Sequence, residues 1–394
     1  QDVTNQLISR HEILRTSFHM EQGIPVQRID EQVQLVVDEM DLTGQSNEEQ
    51  LESLKAFVRP FDVAKAPLIR VGVAYTAANE SVLLLDMHHM ISDGGTMSLL
   101  VQEVNALLNH EMLPPIELQY KDYSEWMKTR DLSSQEKYWC QEFYEEPPII
   151  NLPYDFKRSQ QKKVDGNILS FELEQGWKEK IKRFADQTGT TEYMVFLSAY
   201  MIMLSKYCRQ EDIVVGSPVS GRVNQATETM FGMFVNMLAL RGRPVANKTV
   251  EEFLGEVKET TLKAFEHQEY PFEELVEKVD ITRDFSRNPF FDVFFVLQNN
   301  EQVALNLGGF KTEPILLDTN NAKYDLTLDI EPKENGYHVL IEYRSDLFLP
   351  KSIQYMFEHF RVVLENMLAN KAQTIGQLSM VSKRERAVLL HEFN

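Results

Sequence analysis

A chain of 394 residues with 43% hydrophobic and 25% charged side chains has enough apolar mass for two lobes, and too much for a disordered chain. The net charge of −20 argues against nucleic acid as a partner, and no apolar run reaches the roughly 18 residues of a membrane span. Two distant cysteines, Cys140 and Cys208, fit reduced thiols of a cytoplasmic protein and not a disulfide framework.

The chain opens inside a predicted helix, residues 3–14, and no signal peptide is evident. A hairpin follows at 16–20 and 26–29, turning at Gln22-Gly23, then a helix at 48–58 closed by Pro60. Strands are expected at 68–75 and 81–90, joined by a turn at 77–80. The second strand runs into the stretch that organises the chain, residues 83–100, LLLDMHHMISDGGTMSLL. Alternation along a strand predicts that His88 and His89 face opposite ways, and a helix is expected from Met97 on the spacing of Met97, Leu100, Val101, Val104, Leu107 and Leu108. Gly94 and Gly95 let backbone approach a bound group, and the helix start offers N–H donors without partners. A base beside such donors suits acyl transfer. A single buried histidine is ordinarily a satisfied core residue; two of them with Asp93 and two glycines at a strand-to-helix turn point beyond that. A metal set of both histidines and Asp93 is the other sharp reading, but adjacent strand histidines diverge and no cysteine cluster or helical His-x-x-x-His supports it.

Pro114-Pro115 breaks the chain, and helices are expected from Tyr120 and over 133–143. Residues 147–166, polar, basic and broken by proline and glycine, read as a linker, so an N-terminal lobe of 1–160 and a C-terminal lobe of 161–376 are expected. The second lobe should hold a strand at 168–173, helices at 177–187 and 191–207, and a strand at 213–217. A helix at 250–267, strands at 291–297, 324–330 and 338–343 with a turn at Asn335-Gly336, and a helix at 351–368 complete it. Mixed strands and helices in both halves make the class α/β (α+β). Residues 216–222 do not make a nucleophile elbow, and there is no phosphate loop or dinucleotide fingerprint.

An ordered series of stretches resembles the condensation domain of nonribosomal peptide synthetases. Residues 10–18 fit R-H-E-x-L-R-T-x-F, and 87–96 fit M-H-H-x-x-x-D-G-x-S with Thr96 for serine and Gly95 where a bulkier residue is common. Residues 120–126 fit Y-x-D-Y/F-x-x-W, and 232–241 fit G-x-F-V-N-T-x-x-x-R with Met237 for threonine. Residues 267–273 fit H-Q-x-Y-P-F-E, and 283–289 fit R-D-x-S-R-N-P. The series spans nearly the whole chain; the family's opening motif is absent, which makes the N-terminal lobe incomplete at its start.

The resemblance implies two chloramphenicol acetyltransferase-like lobes in a V with a tunnel between them. Upstream and downstream peptidyl carrier domains would present phosphopantetheine thioesters, with no cofactor or metal bound by the domain itself. It implies His89 as the active base or positioner, His88 as its support, and Gly94 as a backbone donor to the thioester oxyanion. Asp93 becomes a brace paired with Arg10 or Arg15, and Asn236 shapes the tunnel from the second lobe. The tail, 377–394, resembles the start of a linker to an adenylation domain, and the domain is expected to be monomeric, with no membrane partner. The other readings are a free-standing acyltransferase using a coenzyme A thioester, an epimerisation-type relative, and a non-catalytic docking relative.

Overall fold

The computed structural model describes residues 1–282, 284–298, 303–315, 320–382, 385–387 and 390. Arg283 of the predicted late motif, and residues 383–384, 388–389 and 391–394 of the expected linker, lie outside them. The chain forms two compact units of mixed helix and sheet. The first is Gln1–Asp131, Ser220–Val235 and Asn300–Thr319; the second is Leu132–Val219, Asn236–Asn299 and Asn320–Asn394. The expected division at 160 is not where the compact units part: residues 147–166 belong to the second unit, and two later segments belong to the first.

In the first unit α1 (Asp2–Arg10) leads through a 3-10 turn (Glu12–Arg15) into the hairpin β1 (Thr16–Glu21) and β2 (Ile24–Ile29). The helix is shorter than its apolar pattern suggested because His11 is extended and ends it. A small strand β3 (Asp38–Asp41), not expected from the sequence, precedes α2 (Asn47–Phe57), whose start is fastened by a Ser46–Glu49 capping box. β4 (Ile69–Ala77) pairs parallel with β3 and antiparallel with β5 (Glu80–Met87). One sheet face buries Ala74 and Leu84 against Leu54 and Phe57 of α2. A second core gathers Leu7, Ile8, Leu68, Ile91, Leu100 and Phe231 around α1 and α3 (Gly94–Leu108); α4 (Tyr120–Lys128) follows.

The second unit contains α5 (Ser133–Glu142), β6 (Gly166–Leu173), α6 (Trp177–Thr188), α7 (Glu192–Cys208), β7 (Ile213–Val219), β8 (Asn236–Gly242), α8 (Val250–Glu266), α9 (Phe272–Lys278), β9 (Val293–Leu297), β10 (Leu326–Pro332), β11 (Tyr337–Arg344) and α10 (Pro350–Ala369). Its sheet runs β6-β11-β10-β9-β7-β8. α7 is apolar nearly all round and is buried from Met194 to Ser205, as a helix without a polar face must be. Alternation on β10 and β11 puts Leu326, Leu328, Ile330, Val339, Ile341 and Tyr343 into the core. Gly216 is required where it stands, since a Cβ there would lie 2.2 Å from the Phe291 ring. The chain leaves β7 at Val219, contributes Ser220–Val235 to the first unit, and returns as β8 at Asn236.

Candidate active site

The histidine turn lies wholly in the first unit. β5 stops at Met87, so His88 and His89 are not strand residues and strand alternation does not set their directions. The chain turns instead through a short 3-10 helix, His89–Ile91, which ends where Asp93 caps α3. Helix α3 begins at Gly94, three residues before the first apolar position of the pattern, because the Asp93 carboxylate takes the Thr96 N–H at 2.7 Å.

Backbone groups of neighbouring residues hold each histidine. The backbone N–H of His88 donates to the Leu68 carbonyl at 2.9 Å, and its Nδ1 accepts the Met90 N–H at 3.1 Å. Its ring meets Phe61 edge-on, with centroids 6.1 Å apart. His89 is exposed, and its Nδ1 lies 2.6 Å from the Ser92 carbonyl oxygen. A carbonyl only accepts, so Nδ1 carries the proton and, in the neutral ring, Nε2 presents its lone pair. This is the tautomer a base needs. At the start of α3 the N–H groups of Gly94 and Gly95 have no acceptor inside the helix, and Gly94 is exposed.

Asp93 is buried, with 1% of its side chain exposed, as a brace should be. The expected partner is corrected. Oδ1 pairs with Arg222 Nη2 at 2.9 Å and Oδ2 accepts the Phe234 N–H at 3.0 Å, so the brace comes from residues 220–235 and not from Arg10 or Arg15. Arg222 also donates to the carbonyls of Thr227 and Met230, the latter at 2.8 Å, and its guanidinium lies 4.2 Å from the centroid of Phe234. Thr96 Oγ1 donates to the Gly232 carbonyl at 2.7 Å and accepts the Gly232 N–H at 3.0 Å. The Tyr120 ring fills the place a Gly232 Cβ would take, and its hydroxyl donates to Met233 O at 2.8 Å. Burial, then Tyr123 and Asp93, push that phenol up to about 12.

Arg10 and Arg15 do other work. Arg10 Nε donates to Glu103 of α3 at 3.2 Å and Nη2 to Pro114 O at 2.6 Å. His11 Nε2 is 2.7 Å from the other Glu103 oxygen, and its ring stacks on Phe231 at 3.5 Å. Burial holds His11 below its usual range although Glu103 alone would raise it, so the neutral ring donates its Nε2–H. Arg15 donates to Asp30 O at 2.6 Å and stands 3.8 Å from Glu12. The first motif thus steadies the helix that follows the histidines through Glu103, a residue the sequence pattern did not single out.

Asn236 belongs to the second unit. Its Nδ2 donates to Gln268 O at 2.8 Å and Tyr270 O at 2.7 Å, and its Oδ1 accepts from the N–H groups of Met237 and Phe272 at 2.9 and 3.2 Å. With its donors and acceptor so engaged, it pins the turn into α9 to β8. The later motif is structural as well: Arg287 pairs with Asp292 at 2.6 Å, and Asp292 also takes the Asn288 N–H at 3.0 Å. Among the described residues no helix is long and apolar enough to cross a membrane, and no three His, Cys, Asp or Glu side chains are grouped as a metal set.

Comparison with known proteins bears on the family and the fold. A family model described as "Condensation domain" matches residues 1–390. Tyrocidine synthase 3 of Brevibacillus parabrevis is 43% identical over 392 residues, 98% of this chain and 6% of that protein. Bacitracin synthase 3 of Bacillus licheniformis is 40% identical over 398 residues, 100% of this chain and again 6% of that protein. The chain therefore spans a small fraction of those relatives. A four-domain nonribosomal peptide synthetase bound to AMP and glycine superposes with a TM-score of 0.88 at 21% identity, over 98% of this chain and 31% of that one. The first condensation domain of the calcium-dependent antibiotic synthetase, with a substrate analogue, superposes at 0.75 and 17% identity, over 97% of this chain and 90% of that one. At such identities these superpositions establish the fold.

Proposed function

Because the chain belongs to the condensation-domain family, we propose that it forms a peptide bond between two carrier-bound thioesters. The amine of a downstream aminoacyl thioester attacks the carbonyl of an upstream acyl or peptidyl thioester. The carbonyl oxygen becomes an oxyanion, the upstream pantetheine thiolate leaves, and the lengthened chain remains on the downstream carrier. Both arms are phosphopantetheine attached to carrier domains, so they enter as substrate and not as a resident cofactor. An adenylation domain after the tail at 377–394, a monomeric state and a cytoplasmic location belong to the same reading.

The observation that carries it is His89, exposed and held by Ser92 O in the tautomer that leaves Nε2 to accept or align the amine proton. General-base help of this kind is typically worth about 10²–10⁴-fold. The N–H of Gly94, at the positive end of α3, suits the oxyanion. His88 supports the turn, Asp93 and Arg222 brace it, Arg10 and Arg15 hold the surrounding elements, and Asn236 orders the second unit.

The test is direct. Both carriers are loaded with defined thioesters, and the dipeptidyl product is sought by mass spectrometry. Product that requires the chain and both loaded carriers supports the reading; transfer from a coenzyme A thioester to a free amine, with none between carriers, overturns it in favour of a free-standing acyltransferase.

A further inference from the structure

Gly95 is the second residue of α3 and lies between the two groups that define the turn, Asp93 and Thr96. A Cβ built on it would lie 2.7 Å from Arg222 Nε, 3.2 Å from Cζ and 3.4 Å from Cδ. A side chain that near another must displace it, and displacement is easy only where the neighbour is free. Arg222 is not. Its guanidinium is held by Asp93 Oδ1, by Thr96 Oγ1 at 3.1 Å, by two carbonyls of its own loop and by the Phe234 face, and 9% of its side chain is exposed. Its Nε is buried without a hydrogen-bond partner and lies against the bare Gly95 backbone. In this chain the guanidinium therefore occupies the place that a Cβ at 95 would take, where relatives with a bulkier residue must set the arginine differently.

We infer that Gly95 is a positioning residue for the histidine turn: its missing side chain admits Arg222 beside the first turn of α3, and Arg222 in turn fixes Asp93 and the approach of His89. The inference rests on the condensation reading for its activity readout but not for its structural one. It separates Gly95 from glycines that have free space: Gly255, inside α8, has nothing within 4 Å of an added Cβ.

The experiment is a double-mutant cycle of Gly95→Ala and Arg222→Ala, with Gly255→Ala as control, read in three ways. In carrier-to-carrier condensation Gly95→Ala should lower kcat at least tenfold with KM for the loaded carriers within about twofold. By ¹⁵N NMR the His89 ring of Gly95→Ala should lose the signature of a singly protonated Nδ1 held by a carbonyl, while amide signals of the second unit stay in place. By thermal unfolding, Gly95→Ala should lower the midpoint in the Arg222 chain and leave it unchanged in the Arg222→Ala chain, because the collision is gone. Gly255→Ala should move none of these downward. An alanine at 95 that costs as much without Arg222 as with it overturns the proposal, as does a Gly95→Ala chain with unaltered His89 signals and kcat. Should the wild-type chain join no carriers, the functional reading fails, while the NMR and unfolding arms still decide the role of Gly95.

Discussion

His89 and Asp93 sit four residues apart and do different jobs for physical reasons. His89 is exposed with one nitrogen tied to a carbonyl, whereas Asp93 is buried with three donors on its carboxylate. His89→Ala is expected to abolish or sharply cut condensation of loaded carriers while the thermal midpoint stays within a few degrees; His88→Ala should mainly reduce solubility or stability. Unaltered turnover by His89→Ala would remove it from the chemistry. Asp93→Asn weakens a buried ion pair, and breaking such a pair typically costs about 3–5 kcal/mol because the remaining charge is left uncompensated. Denaturant unfolding should show that loss, and Arg222→Ala combined with it should lose less than the sum of the two, since both break one contact. Arg10→Ala should instead add to Asp93→Asn, because Arg10 is bonded to Glu103 and Pro114. Sub-additivity of that second pair would show that the two braces act as one.

Helix α3 is held at two points, by Asp93 at its start and by Glu103 within it. Burial keeps the folded His11 below its ordinary 6.5, so the unfolded chain takes up that proton first as pH falls. The His11 contribution is therefore whole above pH 6.5 and drains away as pH descends from there toward the lowered folded value. Burial pushes Glu103 up, but the His11 hydrogen bond and charge and the Arg10 charge outweigh it and leave its pKa below the ordinary 4.5. Its contribution is whole above pH 4.5 and is lost as pH falls through the folded value. Between pH 7.5 and 5.5 the wild-type thermal midpoint should lose ground relative to His11→Gln, which keeps a donor toward Glu103 and cannot titrate; Asp329, pushed up to about 6 by burial, works the other way but equally in both chains. Equal slopes would mean that His11 protonates as readily in the folded chain. In the second unit, Asn236→Ala leaves the carbonyls of Gln268 and Tyr270 without their donor. About 1–3 kcal/mol for each buried group so stranded should appear as increased hydrogen exchange at the start of α9.

The first unit is not a continuous stretch of chain. Arg222, Phe231, Gly232 and Phe234, which brace the histidine turn and fill the core beside α1, enter it from residues between β7 and β8. A fragment ending at Asp131 therefore lacks the partner of Asp93, the ring stacked on His11 and the acceptor of Thr96. Expressed alone, it is expected to show no cooperative unfolding transition and poorly dispersed amide spectra. A fragment that melts cooperatively would show that residues 220–235 are dispensable to this fold.

Most elements and the histidine turn are legible in the residues themselves. The apolar run before His88, the glycines after Asp93, the periodicity of α7 and α10 and the alternation of β10 and β11 are local signals. Each follows from the geometry of one helix or strand. The order of motifs along the chain was enough to point to the family. What only the tertiary structure decided is who meets whom over distance. Arg10 and Arg15 lie in a motif with the right charge to pair with Asp93, and no local pattern distinguishes them from Arg222, which lies 129 residues beyond Asp93. The choice is made by how the chain re-enters the first unit and by which guanidinium reaches the buried carboxylate. Glu103 was missed for the same reason, being one acidic residue on a helix until His11 and Arg10 are folded onto it. The ends of α1 and β5 were also tertiary outcomes: His11 leaves the helix to stack on Phe231, and the strand stops at Met87 so that Asp93 can cap α3.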